Sequence, residues 1–125
     1  MTSEIKTGDV RDFKNFMNAV IDENSYNTIM GYIEYAKNST DAKVIAGGRG
    51  DKSEGFYIVP TIIVTTDPFF KTMTEEIFGP VMTIYVYDDK DYDEALKLCD
   101  STSPFGLTGA IFSKDRIAAA KACEK

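Results

Sequence analysis

Thr74-Glu75-Glu76-Ile77-Phe78-Gly79-Pro80 runs directly into Val81-Met82-Thr83-Ile84-Tyr85-Val86-Tyr87, a nearly unbroken apolar stretch. Pro80 fixes its own φ and biases Gly79 away from the helical region, so a preceding helix ends here and a strand begins. Gly79 permits a close backbone approach. Continuous apolarity over Val81 to Tyr87 predicts a strand covered on both faces, as in a parallel sheet. Glu76 and Phe78 then sit on a short, stiff loop at the lip of that sheet. An ionised carboxylate there can accept two hydrogen bonds from a vicinal diol such as a ribose. A ring two residues on can lie against the attached heterocycle. The plainer reading is a helix-to-strand turn with a solvated Glu76 and a core Phe78.

Working outward, apolar residues at Tyr26, Ile29, Met30, Ile33 and Ala36 predict one helical face between Asn24 and Asn38, with Asp22 or Asn24 as cap. Lys43 to Ala46 reads as a short strand ended by Gly47-Gly48-Arg49-Gly50. Phe56 to Thr65 is extended and β-branched, and Pro60 within it suggests an edge or a bulge. Pro68 to Glu76 reads as a connection with a helical turn. Asp91 to Ser101 predicts a helix burying Ala95, Leu96 and Cys99, followed by a loop and a strand from Gly109 to Phe112. Strand, helix and strand within about thirty residues make a βαβ unit. A last helix starts at Asp115 and meets no Gly or Pro stop, so the chain reads as cut rather than finished. In residues 1 to 22, Gly8-Asp9 marks a turn, and Phe13, Phe16 and Met17 form a small apolar face.

Composition excludes several functions. With 20 acidic against 14 basic residues, the net charge of −6 disfavours a nucleic-acid partner, which needs clustered cations. No apolar run approaches the ~20 residues of a membrane-spanning helix, so a soluble segment is expected. The chain holds no histidine, which removes His-based triads and most zinc sites. Cys99 and Cys123 are far apart in sequence and read as packing residues. Gly47-Gly48-Arg49-Gly50 lacks the Lys-Ser/Thr of a phosphate loop. Asp88, Asp89, Asp91 and Asp93 lack the glycine and distal glutamate of a calcium loop, leaving a metal site unsupported. At 125 residues the expected fold is one α/β unit with a mainly parallel sheet and flanking helices.

Glu75-Glu76-Ile77-Phe78-Gly79-Pro80-Val81 resembles a signature of the aldehyde dehydrogenase superfamily. Ser103-Pro104-Phe105-Gly106-Leu107-Thr108-Gly109-Ala110-Ile111-Phe112-Ser113 is similar to a second family segment. Ala46-Gly47-Gly48 with Gly55-Phe56-Tyr57-Ile58-Val59-Pro60-Thr61 is similar to a third. Phe16 to Asp22, Ile84 to Asp89 and Asp100 to Ser103 look most like the branch that oxidises glutamate semialdehyde, the 1-pyrroline-5-carboxylate dehydrogenases. Val10 and Phe105 depart from the wider pattern, which commonly has Pro and Tyr there.

The resemblance implies that residues 1–125 form part of a catalytic domain and that NAD is the cofactor. It places Glu76 on the nicotinamide-ribose hydroxyls and Phe78 on the nicotinamide side. The nucleophilic cysteine, the general-base glutamate and the dinucleotide-binding half lie upstream of the matching region. No catalytic residue is therefore assigned within the chain, and the segment alone is expected not to catalyse. The parent is expected to take a small-molecule aldehyde and to be a homo-oligomer. Its expected compartment is the mitochondrial matrix in a eukaryote or the cytoplasm in a bacterium. Alternatives are another branch, such as one acting on succinate semialdehyde, or a non-catalytic module that self-associates through exposed sheet edges.

Overall fold

The computed structural model describes residues 2–124, which divide into two compact units, one ending at Val86 and the other beginning at Tyr87. In the first unit, α1 spans Glu23–Lys37. Asp22 caps it, accepting a hydrogen bond from the Ser25 amide at 2.7 Å. Tyr26, Ile29, Ile33 and Ala36 are its buried residues. Their spacing of three and four keeps them on a single face. The strands are β1 (Ala42–Ala46), β2 (Gly50–Asp51), β3 (Tyr57–Ile58), β4 (Thr61–Thr65) and β5 (Val81–Tyr85), with the four-residue helix α2 (Lys71–Thr74) before β5.

The sheet is mixed rather than mainly parallel. Its order is β1-β4-β5, with β1 antiparallel to β4 and β4 parallel to β5, while β2 and β3 form a separate antiparallel pair. Direction follows from the connections: parallel neighbours need a crossover, and only the segment carrying α2 provides one here. The apolar run that suggested a parallel sheet reports burial and says nothing about the direction of β1. The parallel strand–helix–strand unit is consequently β4–α2–β5.

Four other expectations fail. Gly109 to Phe112 forms no strand and pairs with none among the described residues. A strand is stabilised through its ladder, and β propensity alone does not create one. β5 is covered unevenly, since Met82 is exposed. Its sole ladder is to β4, so one edge carries no partner strand among the described residues. Pro60 lies neither on an edge strand nor at a bulge in its own strand. It immediately precedes the central strand, and the register irregularity falls between Val44 and Ala46 of β1. Phe13 is 97% exposed and takes no part in the apolar face expected with Phe16 and Met17.

Two apolar clusters hold the first unit together. Tyr26, Ile29, Ile33 and Ile58 form one, with Ile77 and Val81 packed against it. Ala36, Ile63 and Phe70 form the other, again with Val81 against it. Val81, the residue after Pro80, thus joins both clusters. Gly47 has φ +71°, and a Cβ there would lie 2.2 Å from the Pro60 carbonyl oxygen, so only glycine fits. Beside it, the Gly48 amide donates to Thr61 Oγ1 at 2.9 Å, and that hydroxyl donates to the Val59 carbonyl at 2.8 Å. The paired glycines and the Pro-Thr step therefore work as one joint between the end of β1 and the start of β4.

The second unit holds α3 (Tyr92–Ser101) and α4 (Arg116–Cys123). Asp115 caps α4 by accepting from the Ile117 and Ala118 amides at 2.8 and 3.3 Å. Neither helix has a buried residue. Cys99 and Cys123, expected to be packing residues, are both exposed, while Ala95, Leu96 and Leu98 are half-buried. Small apolar character permits burial, but burial requires a neighbour on that face.

Candidate functional site

The loop from Glu75 to Pro80 alternates between anchored and outward side chains. Glu75 is anchored: the Tyr32 hydroxyl of α1 donates to its carboxylate. Glu76 is exposed, and among the described residues its carboxylate has neither a hydrogen bond nor an ion pair. Ile77 packs against the cluster of Tyr26, Ile29, Ile33 and Ile58. Phe78 turns outward again and is 84% exposed. Gly79 meets α1 directly, for a Cβ there would stand 2.6 Å from Ile29 Cδ1. The Pro80 carbonyl accepts from the Thr61 amide at 2.8 Å, tying the loop's end to β4.

Phe78 has φ +52° and is the non-glycine residue with positive φ among those described. A bulky residue held there costs on the order of 1–3 kcal/mol, which the anchors on either side must overcome. The sequence pointed to Gly79 as the special backbone position. Gly79 makes the close approach that its residue type permits, and the positive φ falls on the aromatic residue before it. The plainer reading of Phe78 as a core ring does not describe this structure.

Phe78 and Pro80 border a groove of about 580 Å³ with Ser25 and the segment Phe16 to Ile21. Its walls are largely apolar, suited to a flat ring. Glu76 is not among the groove's lining residues; it stands two residues from Phe78 in the loop, fully supplied with acceptor lone pairs. The two groups proposed from sequence are thus both outward. The sequence marked Phe16 to Asp22 by its resemblance to one branch, and Phe16 and Met17 as apolar, without placing them beside Phe78.

The loop's supports were also missed. Lys71 Nζ of α2 lies 5.2 Å from the Tyr32 ring centroid and 5.6 Å from that of Tyr35, within cation–π range. Thr83 Oγ1 donates to Thr72 Oγ1 at 2.7 Å, joining β5 to α2. The hydrogen bond to Glu75 raises the Tyr32 pKa, with loss of hydration and the nearby negative charge acting in the same direction. The phenol therefore keeps its proton, and remains a donor, throughout the neutral range. Among the described residues no three His, Cys, Asp or Glu side chains are grouped to hold a metal ion. Nor is any helix of the described residues long and apolar enough to cross a membrane.

Comparison with known proteins follows the same residues. The aldehyde dehydrogenase family matches residues 1–125. The mitochondrial delta-1-pyrroline-5-carboxylate dehydrogenase of Dictyostelium discoideum is 56% identical over 114 residues, covering 91% of this chain and 20% of that protein. The human mitochondrial protein of the same name is 47% identical over 115 residues, with 91% and 20% covered. Among solved structures, the Mycobacterium tuberculosis delta-pyrroline-5-carboxylate dehydrogenase bound with NAD superposes with a TM-score of 0.86 at 34% identity. That match covers 98% of this chain and 22% of the other. Betaine aldehyde dehydrogenase from Staphylococcus aureus in complex with NAD+ gives a TM-score of 0.83 at 31% identity, covering 98% and 24%. The chain therefore spans about one fifth of the length of the curated relatives it matches.

Proposed function

The chain belongs to the aldehyde dehydrogenase family, and from that premise we propose that it is part of the catalytic domain of an NAD-dependent enzyme. The proposed parent oxidises L-glutamate 5-semialdehyde, in equilibrium with 1-pyrroline-5-carboxylate, to glutamate during proline breakdown. The names of the relatives support this substrate over that of another branch. The mitochondrial names among them support a matrix location in a eukaryotic source and leave the cytoplasm for a bacterial one. The parent is proposed to be a homo-oligomer.

Within that parent, Glu76 and Phe78 hold the nicotinamide end of NAD. The observation that carries this reading is the loop itself: an unpaired carboxylate and a strained, outward ring, two residues apart beside an apolar groove. The donor and acceptor chemistry fits. Glu76 offers two acceptor oxygens to a pair of hydroxyls, and Phe78 offers a flat apolar face. NAD, when bound, supplies the hydride acceptor. Glu76 restrains rotation about the sugar, and Phe78 excludes water from one side of the ring it contacts. Such restraint lowers the barrier by orientation, with no proton moved by either residue. The nucleophilic thiol belongs to a part of the parent outside these residues.

The test is Glu76→Ala in the full-length parent. The expected result is a higher KM for NAD and a lower kcat, together roughly ten- to a hundredfold in kcat/KM, as for loss of hydrogen bonds to a charged group, with the melting temperature unchanged. Unaltered steady-state kinetics would remove Glu76 from the cofactor site.

A further inference from the structure

Resting on that reading of Glu76, we infer that Tyr32 is a positioning residue: by donating to Glu75 it holds the loop in the conformation that turns Glu76 and Phe78 outward. Tyr32 stands on α1, the helix whose Ile29 and Ile33 also receive Gly79 and Ile77. Without the Tyr32 contact, the N-terminal end of the loop would be tied only through the short helix α2, by the Glu75 amide donating to the Lys71 carbonyl at 3.1 Å. Four residues make barely one helical turn, so the exit from α2 depends on contacts from outside: Thr83 of β5 on Thr72, and Tyr32 of α1 on Glu75. The Tyr32–Glu75 bond spans 43 positions in sequence and fixes α2's exit to the rigid, well-packed α1. Lys71 reinforces it by placing its ammonium over the Tyr32 and Tyr35 rings.

The division of labour between the two adjacent glutamates follows. Glu75 spends its carboxylate on scaffold, and Glu76 keeps its own for a ligand. Neither acts on a reacting bond. Freed of Tyr32, the loop can relax Phe78 out of its positive φ, and the outward pair loses its fixed separation. The cost then appears in the binding and orientation of NAD, in its KM and in kcat, and not in the binding of the aldehyde.

The experiment uses the full-length parent with Tyr32→Phe, which deletes only the hydroxyl, together with Glu75→Ala, Glu75→Gln and the Tyr32→Phe/Glu75→Ala double variant. Tyr32→Phe is expected to raise the KM for NAD about two- to tenfold, the range for one lost hydrogen bond, while the KM for aldehyde holds. Glu75→Ala should match it, and the double variant should be no worse than Glu75→Ala alone. Glu75→Gln keeps an acceptor and should restore most of the affinity. An unchanged KM for NAD together with an unchanged kcat in Tyr32→Phe, or a rise in the KM for aldehyde alone, would overturn the positioning role. Glu76→Ala separates the two claims. If it impairs NAD use while Tyr32→Phe does not, only the positioning role is lost; if it is silent, the reading of the site falls first.

Discussion

The two units use the same local signals and reach different kinds of packing. α1 and α4 both start at an aspartate that caps the first turn, at Asp22 and Asp115. α1 buries four side chains against the sheet, whereas α3 and α4 bury none. The helices of the second unit are instead joined by polar contacts. The Tyr92 hydroxyl donates to the Ala118 carbonyl at 2.9 Å, and Lys121 pairs with Asp93 at 2.6 Å while lying 5.9 Å from the Tyr92 ring. Caps and first-turn carboxylates start a helix, but apolar burial is what supplies most of its stability. The loop proposed to hold the cofactor belongs to the unit with the core, where a strained residue can be held against relaxation.

The contrast makes graded predictions. Ile33→Ala in α1 removes a fully buried side chain and should destabilise the first unit by about 2–5 kcal/mol in denaturant unfolding. A cost below ~1 kcal/mol would mean that the first unit has no better core than the second. In the second unit, Tyr92→Phe should cost about 0.5–1.5 kcal/mol, one hydrogen bond's worth, with faster amide exchange in both α3 and α4. Exchange that does not change would show these helices to be held by something other than that contact. Smallest is a gain: Gly31→Ala lies mid-α1 with nothing within 4 Å of the added Cβ. It should stabilise α1 by about 0.5–1 kcal/mol, and destabilisation would reveal a contact on the helix's outer face.

The same contrast explains which features were legible in sequence. α1 was readable because period, cap and burial agree over fifteen residues, with Asp22 as one of two candidate caps. β1, β5 and α3 were each found within a few residues of their ends. Sheet direction was not readable, since β1 runs antiparallel to β4 for reasons of connection and not of composition. Gly109 to Phe112 shows the converse: β propensity without a partner makes no strand. At the site, Gly79's close approach to α1 followed from its residue type, whereas Phe78's positive φ had no sequence signal, because bulky residues seldom adopt it. Tyr32 escaped notice because a tyrosine beside a helical apolar face reads as packing until its hydroxyl finds Glu75.

In the proposed parent, Glu76 faces outward to hold the nicotinamide ribose. A crystal structure of the full-length parent with NAD bound tests it most directly. The expected structure has the Glu76 carboxylate hydrogen-bonded to the ribose hydroxyls, the Phe78 ring against the nicotinamide side, and Glu75 still bound to Tyr32. A ribose held by other residues, with Glu76 turned to solvent, would contradict it.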